Sequence, residues 1–309
     1  MSGKILITGG YGNLGSWITN YLSDLGYELY IITRKVKNSF SNIKYNVIEC
    51  DITNIDELKK KLDFDLDFCI HMASYNEFFH ENYFKKALEV NTLGTRNLLE
   101  VLSTKNIKNF IYFSTFHVYG ASSGVIDENS LLNPKNDYAT THLFAEYYLK
   151  QFGFTNDFKY TILRLTNSYG CPTFIDSDKW YLALNDLTKS AYESQEIVIK
   201  TNGKAKRDFV YMGDVAKAVN EFLQIEATNE IYNLSSFKSY EINELANYVK
   251  EVFYSKYNKN IEIKINESDK TKYPHLSVDN NKLKNLIEFK PIEAFKEEIN
   301  KIFELLEKK

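Results

Sequence analysis

An apolar run, a glycine-rich turn and a helical pattern occupy the first 26 residues of the chain. Residues 4–8 are the apolar run, and the turn Gly9-Gly10-Tyr11-Gly12-Asn13-Leu14-Gly15 follows directly. Apolar residues then recur at helical spacing as far as Leu25. A strand, a turn with regularly spaced glycines and a helix form the phosphate cradle of a dinucleotide-binding fold. Gly9 would permit the tight turn, Gly12 would admit backbone to the pyrophosphate, and Gly15 would allow close helix–strand packing.

Charge and cysteine content exclude several kinds of protein. A net charge of −3 over 309 residues gives no reason to expect binding to nucleic acid or to acidic membranes. Cys50, Cys69 and Cys171 match neither a metal-binding spacing nor an even disulfide set, which favours a reducing compartment and no metal site. The chain enters its first strand directly and holds no apolar run of membrane-spanning length. We therefore expect no signal peptide and a cytoplasmic protein.

Strand patterns alternate with helical patterns in the first half of the chain. Strands are predicted at residues 4–8, 28–33, 45–49, 68–72, 109–114 and 160–165, and helices near 13–25, 54–62, 82–104 and 138–152. This alternation predicts an α/β protein with a doubly wound, parallel Rossmann sheet. Beyond residue 170 the segments are shorter and more mixed, and no linker separates them from the first part. We expect residues 1–170 to bind the dinucleotide and residues 171–309 to form mainly a smaller, interleaved substrate-binding lobe.

Four further blocks carry polar residues in a distinctive order. They read Phe113-Ser114-Thr115-Phe116-His117-Val118-Tyr119-Gly120, Tyr138-Ala139-Thr140-Thr141-His142, Leu163-Arg164-Leu165-Thr166-Asn167-Ser168-Tyr169-Gly170-Cys171-Pro172 and Arg207-Asp208-Phe209-Val210-Tyr211-Met212-Gly213-Asp214-Val215-Ala216. Together with the glycine turn, they resemble the extended short-chain dehydrogenase/reductases, the NAD-dependent epimerase/dehydratase family that acts on nucleotide sugars. The resemblance spans most of the chain. It implies a Rossmann fold, a nicotinamide cofactor and a nucleotide-diphosphate sugar as substrate.

The resemblance also implies roles for individual residues. Thr115, Tyr138 and His142 take the catalytic positions. The substrate would meet Thr115, Phe116, His117, Asn167 and Arg207, the last two at its phosphates. The cofactor would lie against Gly9, Tyr11, Gly12, Asn13, Leu14, Gly15, Thr33, Arg34, Asp51, Ile52, Met72, Ala73, Ser74, Asn91, Tyr138 and His142. Plainer explanations stay open for three of them: a surface turn for Asp51, a backbone-bonded strand residue for Thr115, and a salt bridge with Asp208 for Arg207.

Position 142 departs from the family pattern Tyr-x-x-x-Lys. Residues 138 and 142 lie one helical turn apart, so both side chains project from the same helix face. A phenol has a pKa near 10, and a nearby positive charge is needed to lower it. Histidine is mostly neutral at pH 7 and supplies little of that charge. We therefore expect a slower enzyme and not an inactive one, although His142 could simply occupy the helix face.

The cofactor preference depends on the end of the second predicted strand. Proteins that prefer NAD usually carry an acid there, which binds the ribose hydroxyls. Thr33 occupies that position, and Arg34 could accept a 2′-phosphate, which favours NADP. Relatives that oxidise nucleotide sugars mostly use NAD, and Thr33 can still hydrogen-bond a free ribose. We expect NAD, with NADP left open.

Several reactions remain compatible with these motifs. Relatives that dehydrate sugars carry Asp-Glu directly after the catalytic threonine, where this chain has Phe116-His117, so dehydration is disfavoured. We prefer oxidation at C4 by a 4-dehydrogenase of a GDP-linked hexose or heptose, in surface-polysaccharide biosynthesis. A nucleotide-sugar 4-epimerase is the first alternative. The histidine at position 142 supports an alternative of another class, a nucleotide-sensing binding protein with little turnover.

The resemblance further implies a homodimer. Family members commonly pair through two helices that correspond here to residues near 82–104 and 138–152. The outer face of the second predicted helix would carry Leu143, Phe144, Tyr147 and Tyr148.

Overall fold

A central parallel sheet and a smaller second lobe make up the protein; the computed structural model describes residues 3–36, 39–76 and 81–308. The strands are β1 (Lys4–Thr8), β2 (Glu28–Thr33), β3 (Asn46–Glu49), β4 (Phe68–His71), β5 (Asn109–Thr115), β6 (Gly124–Ile126), β7 (Tyr160–Leu165), β8 (Asn167–Tyr169), β9 (Glu196–Ile199), β10 (Lys206–Tyr211), β11 (Glu230–Leu234), β12 (Ser239–Glu241), β13 (Glu262–Ile265) and β14 (Leu276–Val278). The helices are α1 (Asn13–Asp24), α2 (Ile55–Lys61), α3 (Tyr83–Ala87), α4 (Thr95–Leu102), α5 (Asp137–Asn156), α6 (Ala183–Ser194), α7 (Met212–Gln224), α8 (Ile242–Tyr257), α9 (Asn281–Leu286) and α10 (Phe295–Leu306).

Seven strands form the central sheet, in the order β11-β7-β5-β4-β1-β2-β3. All neighbouring pairs are parallel. Successive side chains of a strand point to opposite faces, and β1 follows this rule. Ile5 and Ile7 pack in one core with α1 and α7, whereas Leu6 packs in the other with α2, α4 and α5. The predicted doubly wound Rossmann fold is therefore confirmed.

The two parts of the chain are interleaved. The connection after β8 leads into the second lobe, but the chain returns to the central sheet with α7 and β11. The second lobe has its own core, in which α6, α8 and α10 pack against short strands. The strands there are ordered β12-β10-β8 and β13-β9. The assignment of cofactor and substrate binding to residues 1–170 and 171–309 stays a prediction.

A single π-helical turn interrupts the helix predicted near residues 82–104. It spans Leu88–Gly94, between α3 and α4. Gly94 lets this turn approach the loop after β3, because a Cβ there would lie 2.8 Å from the Ile52 side chain. π-Helical turns inside helices are frequent at functional sites, and this one carries Asn91.

Membrane-spanning helices and metal-binding clusters are both absent from the described residues. Within the described ranges, no helix is both long enough and apolar enough to cross a bilayer. The same ranges contain no group of three or more His, Cys, Asp or Glu side chains suited to holding a metal ion.

Candidate active site

Two adjoining cavities open where the strands of the central sheet end. In open α/β sheets, ligands bind outside the carboxyl ends of the strands. The smaller cavity, about 450 Å³, is lined by the glycine turn and by the ends of β2 and β4. The larger cavity, about 710 Å³, lies between the end of β5 and the second lobe. Asn13, Ser114, Tyr138 and Tyr181 line both, so the two cavities meet at these residues.

The glycine turn has the geometry of a phosphate cradle. Gly9 adopts a φ of +73°, which disfavours other residues, and a Cβ there would lie 2.9 Å from the Ala73 backbone nitrogen. A Cβ on Gly15 would lie 2.0 Å from the Gly9 carbonyl oxygen, so α1 can pack this tightly only against glycine. Gly12 precedes α1, whose free N–H groups favour an anion. These features fit a dinucleotide pyrophosphate in the smaller cavity.

Residues from the end of β2 and from the loop after β3 also line the smaller cavity. Thr33, Arg34, Asp51 and Ile52 all line it. The Thr33 hydroxyl donates to the carbonyl oxygen of Lys35 at 3.1 Å, so its oxygen can still accept a ligand hydroxyl. Asp51 Oδ1 accepts hydrogen bonds from the Thr53 amide (2.9 Å) and hydroxyl (2.8 Å). Although burial acts to raise the pKa of Asp51, these bonds and Arg34 bring it below its usual value.

Asn91 and His71 lie behind the wall of the smaller cavity, referred to below as the cleft, and do not line it. The amide of Asn91 is paired with both backbone groups of Tyr75 and with the Thr141 hydroxyl. His71 bridges Thr8 (2.6 Å) and Thr95 (2.8 Å), and burial lowers its pKa to about 3, so it is neutral. Met72, Ala73 and Ser74, which follow His71, do line the cleft. The buried network therefore braces the cleft wall from behind.

Thr115, Tyr138 and His142 converge where the two cavities meet. Thr115 ends β5, where its hydroxyl oxygen accepts a hydrogen bond from the His117 amide at 3.2 Å, and its side chain lies beside Tyr138 near the start of α5. The rings of Tyr138 and His142 have centroids 4.3 Å apart. Nδ1 of His142 lies 2.8 Å from the Tyr138 carbonyl oxygen. Since a carbonyl only accepts, Nδ1 carries the hydrogen and Nε2 is left as an acceptor.

Neither ring at this junction is charged at neutral pH. Removal from water lowers the pKa of His142 to about 4, although its hydrogen bond to the Tyr138 backbone acts to raise that pKa. Removal from water raises the pKa of Tyr138 to about 12, although the adjacent Thr115 hydroxyl acts in the opposite direction. His142 can therefore accept a hydroxyl through Nε2, but it does not provide the cation that lysine would provide.

A buried ion pair between α5 and β7 supports the end of β5. Glu146 of α5 and Arg164 of β7 are joined by two hydrogen bonds of 3.0 and 2.6 Å, and neither side chain is more than 1% exposed. The Ser114 hydroxyl donates to the same carboxylate at 2.5 Å. Arg164 also stacks on the Tyr119 ring at 4.7 Å. Because Ser114 precedes Thr115, this network fixes β5 next to α5 where the Thr115–Tyr138 pair forms.

The predicted substrate residues surround the larger cavity. Phe116, His117, Asn167 and Arg207 all line it. The Asn167 amide donates to the Asp208 carbonyl oxygen at 2.9 Å. The Asp208 carboxylate is buried and accepts hydrogen bonds from Thr166 and Ser236, and the side chains of Asp208 and Arg207, both within the described part of the chain, form no salt bridge. The structure thus contradicts the salt-bridge explanation of Arg207, since neighbouring strand residues point to opposite faces. Arg207 is exposed to the cavity.

The sequence did not indicate the part of the second lobe that completes both cavities. Lys179 lines the smaller cavity, Asn185 lines the larger one, and Tyr181 and Leu182 line both. The phenol of Tyr181 also interacts electrostatically with that of Tyr138. These residues belong to a short 3₁₀ turn, Lys179–Tyr181, and the start of α6. A segment this short has no periodicity that a sequence pattern could reveal.

Comparisons with known proteins agree with this geometry. The model of the NAD dependent epimerase/dehydratase family matches residues 5–235. The chain therefore belongs to the NAD-dependent epimerase/dehydratase family. A putative UDP-glucose 4-epimerase of Methanocaldococcus jannaschii is 30% identical over 254 residues, which cover 80% of this chain and 81% of that protein.

Solved structures resemble the fold over nearly the whole chain. A UDP-N-acetylglucosamine 4-epimerase from Methanobrevibacter ruminantium, in complex with UDP-N-acetylmuramic acid, superposes with a TM-score of 0.85 at 24% identity, covering 99% of both chains. The enzyme WbmG of Bordetella bronchiseptica, in complex with NAD, superposes with a TM-score of 0.80 at 22% identity, covering 100% of this chain and 95% of that one. At these identities the likeness concerns the fold.

Proposed function

We propose that this protein uses NAD to oxidise the C4 hydroxyl of a nucleotide-diphosphate sugar and then returns the hydride, as a 4-epimerase. The observation that carries the proposal is the placement of Tyr138, which lies beside Thr115 and lines both cavities where they meet. The hydride passes directly between the two ligands, so the base that takes the hydroxyl proton has to lie where the two ligands meet. Tyr138 lines both cavities and meets that requirement.

Each residue of the junction has a distinct task in this proposal. Thr115 accepts or donates a hydrogen bond to the reacting sugar hydroxyl, and the Tyr138 phenolate takes its proton. His142 accepts a ribose hydroxyl through Nε2 and holds the Tyr138 ring in place. Bound NAD would supply the hydride acceptor, held by the glycine turn, α1 and the wall formed by residues 72–74. Arg207 and Asn167 would hold the substrate phosphates at the far end of the larger cavity.

The relatives support the epimerase outcome. The M. jannaschii relative is named as a putative UDP-glucose 4-epimerase, and the M. ruminantium structure is that of a UDP-N-acetylglucosamine 4-epimerase. Neither name supports the GDP-linked hexose or heptose 4-dehydrogenase that we preferred from the sequence. We therefore propose a UDP-linked hexose or N-acetylhexosamine as the first substrate to try.

Product analysis tests the proposal and separates its alternatives. The protein is incubated with NAD and UDP-glucose, UDP-N-acetylglucosamine or GDP-mannose, and the sugar products are separated by chromatography. An epimerase forms the C4 epimer without net reduction of NAD. A dehydrogenase forms NADH in proportion to a keto sugar. Binding of NAD and a nucleotide sugar with no product in any mixture would overturn the enzyme proposal in favour of a sensing protein.

Replacement of His142 by lysine is expected to raise turnover at pH 7 by about tenfold, which corresponds to a lowering of the Tyr138 pKa by roughly one unit. Tyr138 must lose its proton to act as a base, so activity of the natural protein should rise with pH. A cation at position 142 favours the phenolate, so turnover should begin to increase at a lower pH. The measurement is kcat as a function of pH.

The matched control for that variant is His275→Lys, because His275 is exposed and lines neither cavity. It should leave the pH profile unchanged. A fall in turnover for His142→Lys, with the protein folded, would show that His142 is not a weakened substitute for lysine.

Replacement of Thr33 by aspartate tests the preference for NAD. A carboxylate there accepts both ribose hydroxyls and repels a 2′-phosphate, so the ratio of NAD to NADP affinity should rise by about tenfold to a hundredfold. Both affinities are measured by calorimetry. The control is Thr155→Asp, which adds the same charge at an exposed position of α5. An unchanged ratio would mean that the ribose does not lie against Thr33.

We also propose that the protein is a homodimer that pairs through α5 and the helix containing the π turn. The two lie side by side, joined by Asn91–Thr141 and Tyr83–Asp137 hydrogen bonds of 3.0 and 2.8 Å. Large apolar side chains are exposed on this surface: Phe84, Leu88, Leu93, Phe144 and Tyr147. Of the residues predicted for the outer face of α5, Leu143 and Tyr148 instead pack into the core. Phe144 and Tyr147 are exposed as predicted.

A charge placed on this surface should separate the subunits. Phe144→Glu, at a position with 42% exposure, is expected to convert a dimer into a monomer in sedimentation velocity. Phe154→Glu is the matched control, because Phe154 is on the same helix and is 92% exposed. A natural protein that sediments as a monomer at micromolar concentration would contradict the proposed dimer.

A further inference from the structure

The side-chain amide of Asn13 is buried without a partner at the junction of the two cavities. Oδ1 and Nδ2 are both inaccessible to solvent, and neither has a hydrogen-bond partner among the described residues. Asn13 lines the smaller and the larger cavity alike. Buried polar groups of native proteins are almost always paired, so an amide with both ends unpaired calls for a physical explanation.

The backbone around Asn13 offers no sign of a loosely formed turn. The Gly12 amide donates to the Gly9 carbonyl oxygen at 2.9 Å, and the Ser16 amide donates to the Gly12 carbonyl oxygen at 2.9 Å. The Asn13 carbonyl oxygen accepts from the Ser16 hydroxyl at 3.0 Å. The start of α1 is therefore well bonded, and the unpaired polar atoms are confined to the side-chain amide of a residue that lines both cavities.

The chemistry of an amide limits what can satisfy it. Nδ2 needs an acceptor and Oδ1 needs a donor. A phosphate oxygen only accepts, so it can pair with Nδ2, and the N-terminus of α1 favours such an anion in the smaller cavity. A sugar hydroxyl can donate, so it can pair with Oδ1 from the larger cavity. The two ends of one amide thus match two different ligands.

We propose that Asn13 contacts both ligands at once, with Nδ2 donating to a phosphate oxygen of the dinucleotide and Oδ1 accepting a hydroxyl of the nucleotide sugar. This inference rests on the proposed function and extends it, because it makes Asn13 the positioning residue that holds the sugar in register with the cofactor. Its hydrogen bonds are complete only when both cavities are filled. Each ligand therefore improves the site for the other, and the coupling between their affinities is reciprocal.

The test uses Asn13→Leu, with Asn13→Ala as a second variant in case the leucine does not fit. Three quantities are measured: the Tm of the ligand-free protein, the Kd for NAD and the Kd for UDP-glucose. Removal of an unpaired amide should raise the Tm of the ligand-free protein. Both affinities should fall by about tenfold, the effect of losing one hydrogen bond to each ligand. A role in the fold alone would lower the Tm.

Asn109→Leu provides the matched control. Asn109 is a fully buried asparagine at the start of β5 with an unpaired Oδ1, and it lines neither cavity. Its replacement should leave both affinities unchanged. A loss of affinity for NAD alone in the Asn13 variants, or for neither ligand, would overturn the inference. Failure of the natural protein to bind NAD would instead overturn the proposed function, so the two failures are distinguishable.

Discussion

Tyr138→Phe is expected to reduce turnover by about a thousandfold, the typical contribution of a positioned acid–base group. The variant loses the only proton acceptor that we place at the reacting hydroxyl, while its ring can still pack against His142 at the observed centroid distance of 4.3 Å. The affinity for NAD should therefore change little. The measurement pairs kcat for the nucleotide sugar with the Kd for NAD. A large fall in kcat with little change in the Kd for NAD identifies Tyr138 as catalytic.

Tyr254→Phe is the control for that experiment, because Tyr254 is half exposed on α8 and lines neither cavity. It loses the same hydroxyl and should keep full activity. Retention of more than about a tenth of the natural turnover by Tyr138→Phe would contradict the assignment, since a general base contributes at least about a hundredfold.

Loss of Glu146 should destabilise the protein by about 3–5 kcal/mol, which is a large part of the stability of a typical domain. Glu146→Ala leaves the Arg164 guanidinium uncompensated in a site where the arginine is 1% exposed. It also removes the acceptor of the Ser114 hydroxyl. The free energy of unfolding is measured by urea denaturation. Activity should fall as well, since the end of β5 loses its support beside α5.

The pair of Arg96 and Glu100 on α4 offers a matched control. Its nitrogen–oxygen distance is 2.6 Å, equal to that between Arg164 and Glu146, but its side chains are 38% and 36% exposed. Glu100→Ala should therefore cost less than about 1 kcal/mol. A double replacement of Glu146 and Arg164 by leucine should recover much of the lost stability, because it leaves no buried charge unpaired. Equal costs for Glu146→Ala and Glu100→Ala would contradict this account.

Six of the seven strands of the central sheet could be predicted from sequence because most are apolar runs bounded by turn residues. The remaining strand of that sheet, β11, was not predicted, since Glu230–Leu234 reads Glu-Ile-Tyr-Asn-Leu, with polar residues at two of five positions. Asn233 is nevertheless fully buried, because its side chain pairs with Tyr119 and with the Asp279 backbone. Such pairing is a property of the folded chain, so no local pattern reveals it.

The candidate site was predictable where short motifs carry the chemistry. The motifs around Thr115, Tyr138 and Arg207 lie far apart in sequence, and the folded chain brings them to adjoining cavities. The motifs predicted that Asn91 contacts the cofactor, whereas its amide braces Tyr75 from behind the smaller cavity and does not line it. They also missed Tyr181, which reaches the site only because the second lobe folds back over it. Contacts of this kind depend on how the two lobes pack.

One measurement tests the central claim most directly. The freshly purified protein is denatured, with and without prior incubation with UDP-glucose, and the released nucleotides are separated by chromatography. The account predicts that NAD(H) is released and that incubation with the sugar nucleotide causes no net rise in its reduced fraction, because an epimerase returns the hydride to the sugar. Release of NADP(H) would contradict the cofactor that we propose. Release of no dinucleotide, together with no binding on titration with NAD or NADP, would contradict the oxidoreductase account as a whole.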